Sequence, residues 1–245
     1  MTDLSVCVPV YRAHHAPNLT TVRAGLEAAL DGLDGELVVA LNGLPAGAAG
    51  LRPDTRVVDL GVNRGVAPGW NAAASVAGGD VLVFTNDDVV LGPRSLAALY
   101  HALRGQSDAG AVGPVGTHWD LSTGQHRSWV DLSDRRDGEL ESCDVLAGFL
   151  FATTREVFDR VGGFDEAYAP CSFEEVDFCT AVRLRLGLSC YAVAGVDVEH
   201  EWGISRRSPP WKRVSFEGHA ETLRSIHRRN RRHFLEKWSD LATRR

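Results

Sequence analysis

"VLVFTNDDVVLGP", residues 81–93, carries four apolar residues into a threonine, an amide and two adjacent carboxylates, then returns at once to Val89, Val90 and Leu91. The apolar run reads as a buried strand, and strand interiors disfavour Asp and Asn. A buried carboxylate is costly unless a cation compensates it, so Asn86, Asp87 and Asp88 at the strand's end raise the question of which cation. Clustered Asn and Asp oxygens suit a hard divalent ion such as Mg2+ or Mn2+, which keeps substrate phosphates in its shell. The same residues equally suit a solvated turn or a helix N-cap with no ligand.

Upstream, "LSVCVPV" (4–10), "ELVVAL" (36–41) and "RVVDLG" (56–61) are further valine-rich runs, and Leu19, Val22, Leu26, Leu30 and Leu33 recur at helical spacing between the first two. Strands that are apolar without in/out alternation predict a parallel sheet covered on both faces, with ligands at the strand C-termini. "GVNRGVAPGWNAAASVAGGD" (61–80) places Gly61, Gly65 and Gly69 before and within an alanine-rich helix that stops at Gly78-Gly79. Neither a G-x-G-x-x-G fingerprint nor a Walker loop is present, so a phosphate bound here needs another counter-charge.

Downstream, "PRSLAALYHALRG" (93–105) predicts a helix, followed by a less regular stretch with Trp119, His126 and "RSWVDL" that reads as a mixed-sheet extension. Then come a strand over "VLAGFLFATT" (145–154), a short helix over "REVFDRVGGFD", a helix from "FEEVDFCTAVRLRLG" (173–187), and a strand pair ending "VDVEHEWG" (196–203). From about Val214 onward the chain is expected to be helical.

Composition bounds the class. The 245 residues are 44% hydrophobic and 24% charged, which fits one α/β domain, and the net charge of −6 argues against general affinity for nucleic acid. Cys7, Cys143, Cys171, Cys179 and Cys190 form no C-x-x-C pair and sit mostly in apolar surroundings, as reduced structural thiols in a cytoplasmic protein do. "MTDLSVCVPVY" lacks the features of a leader, and "VLAGFLFA" falls well short of the roughly 20 residues that span a bilayer.

A second acidic cluster, Glu174, Glu175 and Asp177, opens the predicted helix, where the dipole favours carboxylates. Glu174 and Asp177 share a face while Glu175 projects differently, so helix capping does not explain all three and one of them is expected in a cleft. A carboxylate beside another has a raised pKa, which suits a general base for a hydroxyl proton. His200 follows a strand, where a packed histidine and a ligand are both reasonable, and Trp202 suits either a core or the wall of a sugar site.

"SVCVPVYR", "VNRGVAPGWNAAASVAGGDVLVFTNDDV", "VLAGFLFATTREVFDRVGGFDE", "SFEEVDFCTAVRLRLG" and "VDVEHEWG" together resemble the family-2 inverting glycosyltransferases of the GT-A fold, including rhamnosyltransferase-like members. The resemblance implies a Rossmann-like, mostly parallel sheet flanked by helices with a mixed-sheet acceptor-side extension. It implies a single domain over 1–245: a nucleotide-sugar half (1–115), an acceptor and catalytic-base half (116–205) and a helical basic segment (206–245). It places Pro9 and Tyr11 after the first strand at the nucleotide base, with Asn42 nearby where Leu41 replaces a common acid. Asn63, Arg64, Gly65 and Asn71 line the nucleoside diphosphate, as do Asn86 and Asp87. Asp88 is then the metal ligand, His200 completes the metal site, and Glu175 is the base with Glu174 beside it. The implied donor is a UDP- or dTDP-sugar, the cofactor Mg2+ or Mn2+, and the acceptor a glycan, a lipid-linked compound or a small molecule.

Two rival functions fit parts of this pattern: a sugar-nucleotide-binding protein without transfer activity, and a sugar-1-phosphate nucleotidyltransferase. "PVYRAHHAPN" does not supply the Gly-rich basic loop that the latter needs after its first strand. The basic run "RSIHRRNRRHFLEKW" (224–238) reads as a solvated helix packed on the domain, or as a face for an anionic membrane or a lipid-diphosphate acceptor.

Overall fold

The structure is a computed structural model that describes residues 2–11, 25–45, 47, 51, 55–200 and 209–242. Four of the apolar runs become parallel neighbours: β1 (Leu4–Val10) lies between β2 (Gly35–Leu41) and β4 (Val81–Thr85), and β3 (Arg56–Asp59) adds outside β2. They form half of an eight-stranded sheet. On the far side of β4 the antiparallel β11 (Leu150–Thr154) inserts, then β6 (Ala109–Gly113), the parallel β12 (Ser189–Val193) and the antiparallel edge strand β9 (Leu140–Cys143).

Burial on both faces explains the unbroken apolar strands. In β4, Leu82 and Phe84 join the core on one face while Val81 and Val83 join the core on the other. The first face is covered by α2 (Val66–Val76), α4 (Arg155–Val161), α5 (Glu174–Leu186) and α6 (Leu223–Ala242) through Trp70, Phe158, Phe178 and Phe234. The second is covered by α1 (25–30) and α3 (Ser95–Gly105) through Leu30, Leu96, Leu99 and Leu103. Trp70, Phe84, Phe151 and Phe164 pack edge-on or tilted at 4.8–6.0 Å, and each such buried ring contributes roughly 1.5–3 kcal/mol through burial. Of the predicted first helix, residues 25–30 are seen, and Leu19 and Val22 lie outside the described residues.

Three expectations are corrected. "VLAGFLFATT" is two strands, because the chain changes sheets at Ala147–Phe149: β10 (Val145–Leu146) pairs with β7 (Gly116–Asp120), which pairs with β8 (Gln125–Trp129), whereas β11 joins the main sheet. The turn is fixed by Thr85 Oγ1 and the Asn86 N–H, which donate to the Phe149 carbonyl at 2.9 and 3.0 Å. β12 and β13 (Val198–His200) do not pair with one another; β13 pairs with β5 (Val89–Leu91). The C-terminal segment is not helical throughout, since β14 (Arg213–Phe216) and β15 (His219–Thr222) form a hairpin before α6. Glu217 and Gly218 both adopt positive φ, 48° and 78°, which matches the turn to the strand twist.

Candidate active site

The β4–β5 connection and β13 build the first part of the site. The β5–β13 register sets His200 opposite Val89, next to Asp88, so His200 Nε2 lies 3.4 Å from Asp88 Oδ1. Both side chains are nearly buried, at 14% and 15% exposed, and the imidazole stacks on Phe149 at 4.5 Å and 8°. Asp88 Oδ1 is buried and accepts no hydrogen bond among the described residues, which leaves a hard oxygen and an imidazole nitrogen close together. That donor set fits a divalent cation. Among the described residues no group of three or more His, Cys, Asp or Glu converges. Asn86 and Asp88 reach the adjoining cavity, whereas Asp87 is buried at 6% exposure and does not line it.

The second part is the start of α5. Ser172 and Phe173 take positive φ values of 82° and 80°, a sharp entry that sends Glu174 and Glu175 into the same cavity as Asn86, Asp88 and His200. Glu174 is 7% exposed, Glu175 less deeply set, and one oxygen of each, Oε2, is buried without a hydrogen-bond partner. Burial, then the charge of Glu175, pushes the Glu174 carboxyl well above the usual range; burial also raises Glu175, partly offset by backbone N–H groups. Asp177 takes a different role. It is buried and accepts from Tyr168 Oη at 3.1 Å, Lys237 Nζ at 2.8 Å and Trp238 Nε1 at 2.8 Å, tying α6 to α5.

Two residues that sequence reasoning missed shape the pair. Gly148, read as strand interior, passes so close to Glu175 that an added Cβ would stand 3.2 Å from Glu175 Cδ. Asn230, read as one more polar residue of a basic helix, is fully buried on α6; its Nδ2 donates to the carbonyls of Tyr168, Cys171 and Ser172 at 2.6, 3.0 and 2.8 Å. Arg229 adds a bond to the Ala169 carbonyl and pairs with Glu221 at 2.7 Å. The loop that aims Glu174 and Glu175 is thus clamped by α6. On its other side the Val66 N–H donates to the Pro170 carbonyl at 2.8 Å, and at Gly65, with φ 102°, a Cβ would meet Pro170 backbone at 2.7 Å.

The remaining expected residues gather at the C-terminal ends of β1 and β2 and before α2. Pro9 does not follow β1 but lies buried within it, and Tyr11 is the first residue after the strand. Asn42 is buried at 3% exposure; its N–H donates to Val10, its Nδ2 to the Gly65 carbonyl at 2.8 Å, and its Oδ1 accepts from the Arg64 N–H at 2.7 Å. Asn63 caps Gly65 and donates to the Ser215 carbonyl, and the Arg64 guanidinium lies 3.8 and 3.7 Å from Glu166 and Glu217. The Asn71 amide spans the Phe164 backbone, donating to the carbonyl and accepting from the N–H at 2.9 Å each, so it holds the turn at Phe164. Trp202 lies outside the described residues.

The cavity itself encloses about 1640 Å³. One wall is the carboxylate pair with Gly148 and Phe149, another the β7–β8 hairpin with Trp119 and Trp129, and a third the basic face of α6. Cys171 lies there too, its thiol pushed up to about 12 by burial and then by Glu174 and Glu175, so it stays protonated. None of the five cysteines is in a disulfide. No helix among the described residues is long and apolar enough to cross a membrane.

A mostly parallel sheet with acidic residues at the end of β4, and a second carboxylate pair on the same cavity, is an arrangement of the GT-A fold. Residues 5–162 match the profile of glycosyl transferase family 2, and the chain belongs to that family. It is 25% identical, over 203 aligned positions covering 69% of this chain and 66% of the relative, to N-acetylglucosaminyl-diphospho-decaprenol L-rhamnosyltransferase of Mycobacterium tuberculosis. The chain therefore spans just under two thirds of that relative's length. Among solved structures, GalNAc-T7 with UDP, GalNAc and Mn2+ aligns with a TM-score of 0.65 at 15% identity, over 82% of this chain and 44% of that one. Mannosyltransferase PcManGT from Pyrobaculum calidifontis, in complex with GDP-Man and Mn2+, aligns with a TM-score of 0.56 at 21% identity, over 79% and 55%.

Proposed function

We propose that the protein transfers a sugar from a nucleoside-diphosphate donor, of the UDP or dTDP class, to an acceptor hydroxyl with inversion at the anomeric carbon. The observation that carries this is the placement of the Glu174–Glu175 pair and the Asp88–His200 pair on one cavity. Asp88 and His200 would hold a divalent ion, which supplies charge neutralisation for the leaving diphosphate when bound; the Mn2+ in the structural neighbours supports this.

Glu175 acts as the base. Two adjacent buried carboxylates do not ionise together, and the proton stays on the more deeply buried, more strongly raised Glu174. Glu175, nearer solvent, is left to take the proton of the acceptor hydroxyl as its oxygen attacks, with a pKa raised toward the working range. Tyr11, Asn42, Asn63, Arg64 and Gly65 remain assigned to the nucleotide side, the side chains of Asn42 and Asn63 holding the backbone of Arg64 and Gly65. The name of the mycobacterial relative supports a lipid-linked glycoside as acceptor. Proton NMR of the product formed from an α-linked nucleotide sugar in Mn2+ tests the proposal: a β-linked product is expected, and an α-linked one removes Glu175 from the role of base.

A further inference from the structure

Helix α6 divides its residues between two faces. Ile226, Asn230, Phe234 and Trp238, four apart, are buried against the domain. Arg224, Arg228, Arg231 and Arg232 recur on the face that lines the cavity shared with Glu175. Folding gains little from that arrangement. Like charges at i,i+4 repel, and a cation in the first helical turn, where Arg224 sits, opposes the macrodipole. The helix has no acidic residue in its first turn and no basic residue in its last, the reverse of what helix stability favours.

Partners within the protein do not account for the charge. Arg231 Nε donates to the Thr123 carbonyl at 2.7 Å, and among the described residues Arg232 pairs with Glu236, at 3.9 Å with both side chains largely exposed. Arg224 and Arg228 are exposed and carry no carboxylate partner among the described residues. Burial, and then the charge of Arg231, holds His227, between them on the same helix, below its ordinary pKa. Across the cavity Trp119 and Trp129 offer the amphipathic aromatic surfaces on which sugar rings pack.

We propose that Arg224 and Arg228 bind a phosphate group of the acceptor, so that the acceptor is a phosphorylated glycoside whose sugar lies toward Trp119 and Trp129 and presents a hydroxyl to Glu175. The inference rests on the reading of the cavity as a transfer site. Two guanidinium forks one helical turn apart match the oxygens of a phosphate or diphosphate, which accept paired N–H bonds. The carboxylate pair alone would repel such a group; the arginine face offsets that repulsion and sets which end of the acceptor faces the base.

Calorimetry in excess chelator, which silences metal-dependent diphosphate binding, separates this site from the donor site. Wild type should bind glucose 1-phosphate at least tenfold more tightly than methyl glucoside. An Arg224→Gln/Arg228→Gln variant should lose that preference, while its Mn2+-dependent affinity for the best ligand among UDP, dTDP and GDP stays unchanged. Equal affinity of wild type for the two glycosides, or an undiminished preference in the variant, overturns the proposal. So does a variant that loses only flotation with phosphatidylglycerol vesicles, because the arginines then belong to a membrane surface. Failure of wild type to bind any nucleoside diphosphate in Mn2+ would instead strike the transfer reading, which the chelator experiment leaves untouched.

Discussion

Adjacent carboxylates buried on one cavity wall carry a stability penalty that function alone explains. Glu174 has its folded-state pKa raised, so between the ordinary glutamate value of about 4.3 and the raised value the folded chain binds more protons than the unfolded one. Stability therefore falls as pH rises through that window. Glu174→Gln should melt higher than wild type at pH 7 to 8 and equally near pH 4, read by thermal denaturation across pH. The same elevation at Glu175 puts the acidic limb of the kcat/KM profile above the ordinary glutamate range, with activity lost as pH falls through it. At the metal pair, Asp88→Ala should abolish Mn2+-dependent binding of nucleoside diphosphate in calorimetry, because one of the two converging protein donors is gone. These acidic residues were legible in the sequence, since Asp88 goes against strand preference and Glu174 and Glu175 project from different faces of one helix start. The closeness of Gly148 to the site was not, because Glu175 approaches it from a helix 27 positions on, which no local pattern records.

Elements position these residues, and α6 does more than cover the core. Through Asn230 it holds three carbonyls, of Tyr168, Cys171 and Ser172, in the loop that aims Glu174 and Glu175. Asn230→Asp keeps the size but removes the donors and sets a carboxylate against carbonyl oxygens. It should destabilise the protein by about 1–3 kcal/mol or more and lower kcat, with Mn2+-dependent nucleoside-diphosphate affinity retained; urea denaturation and calorimetry measure the two. The amphipathic period of α6 could be read from Ile226, Phe234 and Trp238, but not that a polar residue, Asn230, sits within the buried stripe. The split of "VLAGFLFATT" into β10 and β11 was hidden for a related reason: both pieces are apolar, and only the hydrogen bonds from Thr85 and Asn86 to Phe149 show where the chain leaves one sheet for another. The β14–β15 hairpin was masked by the basic run beside it, although Glu217-Gly218 carries its turn.

At the scale of the whole molecule, the fold brings distant segments to one cavity: residues 86 and 88 from the end of β4, 174–175 from the start of α5, and 200 from the end of β13. The order of the strands along the first half was readable because parallel strands buried on both faces lack alternation, and family membership agrees with that reading. The cavity's third wall was not, since it depends on which face α6 turns inward. In the proposed mechanism Glu175 moves a proton rather than binds the donor. Pre-steady-state transfer by Glu175→Gln, with Mn2+-dependent nucleoside-diphosphate affinity measured on the same preparation, tests this most directly. The prediction is a loss of roughly a hundredfold or more in the transfer rate at unchanged affinity, larger than the loss in Glu174→Gln. Transfer at the wild-type rate in Glu175→Gln would contradict it.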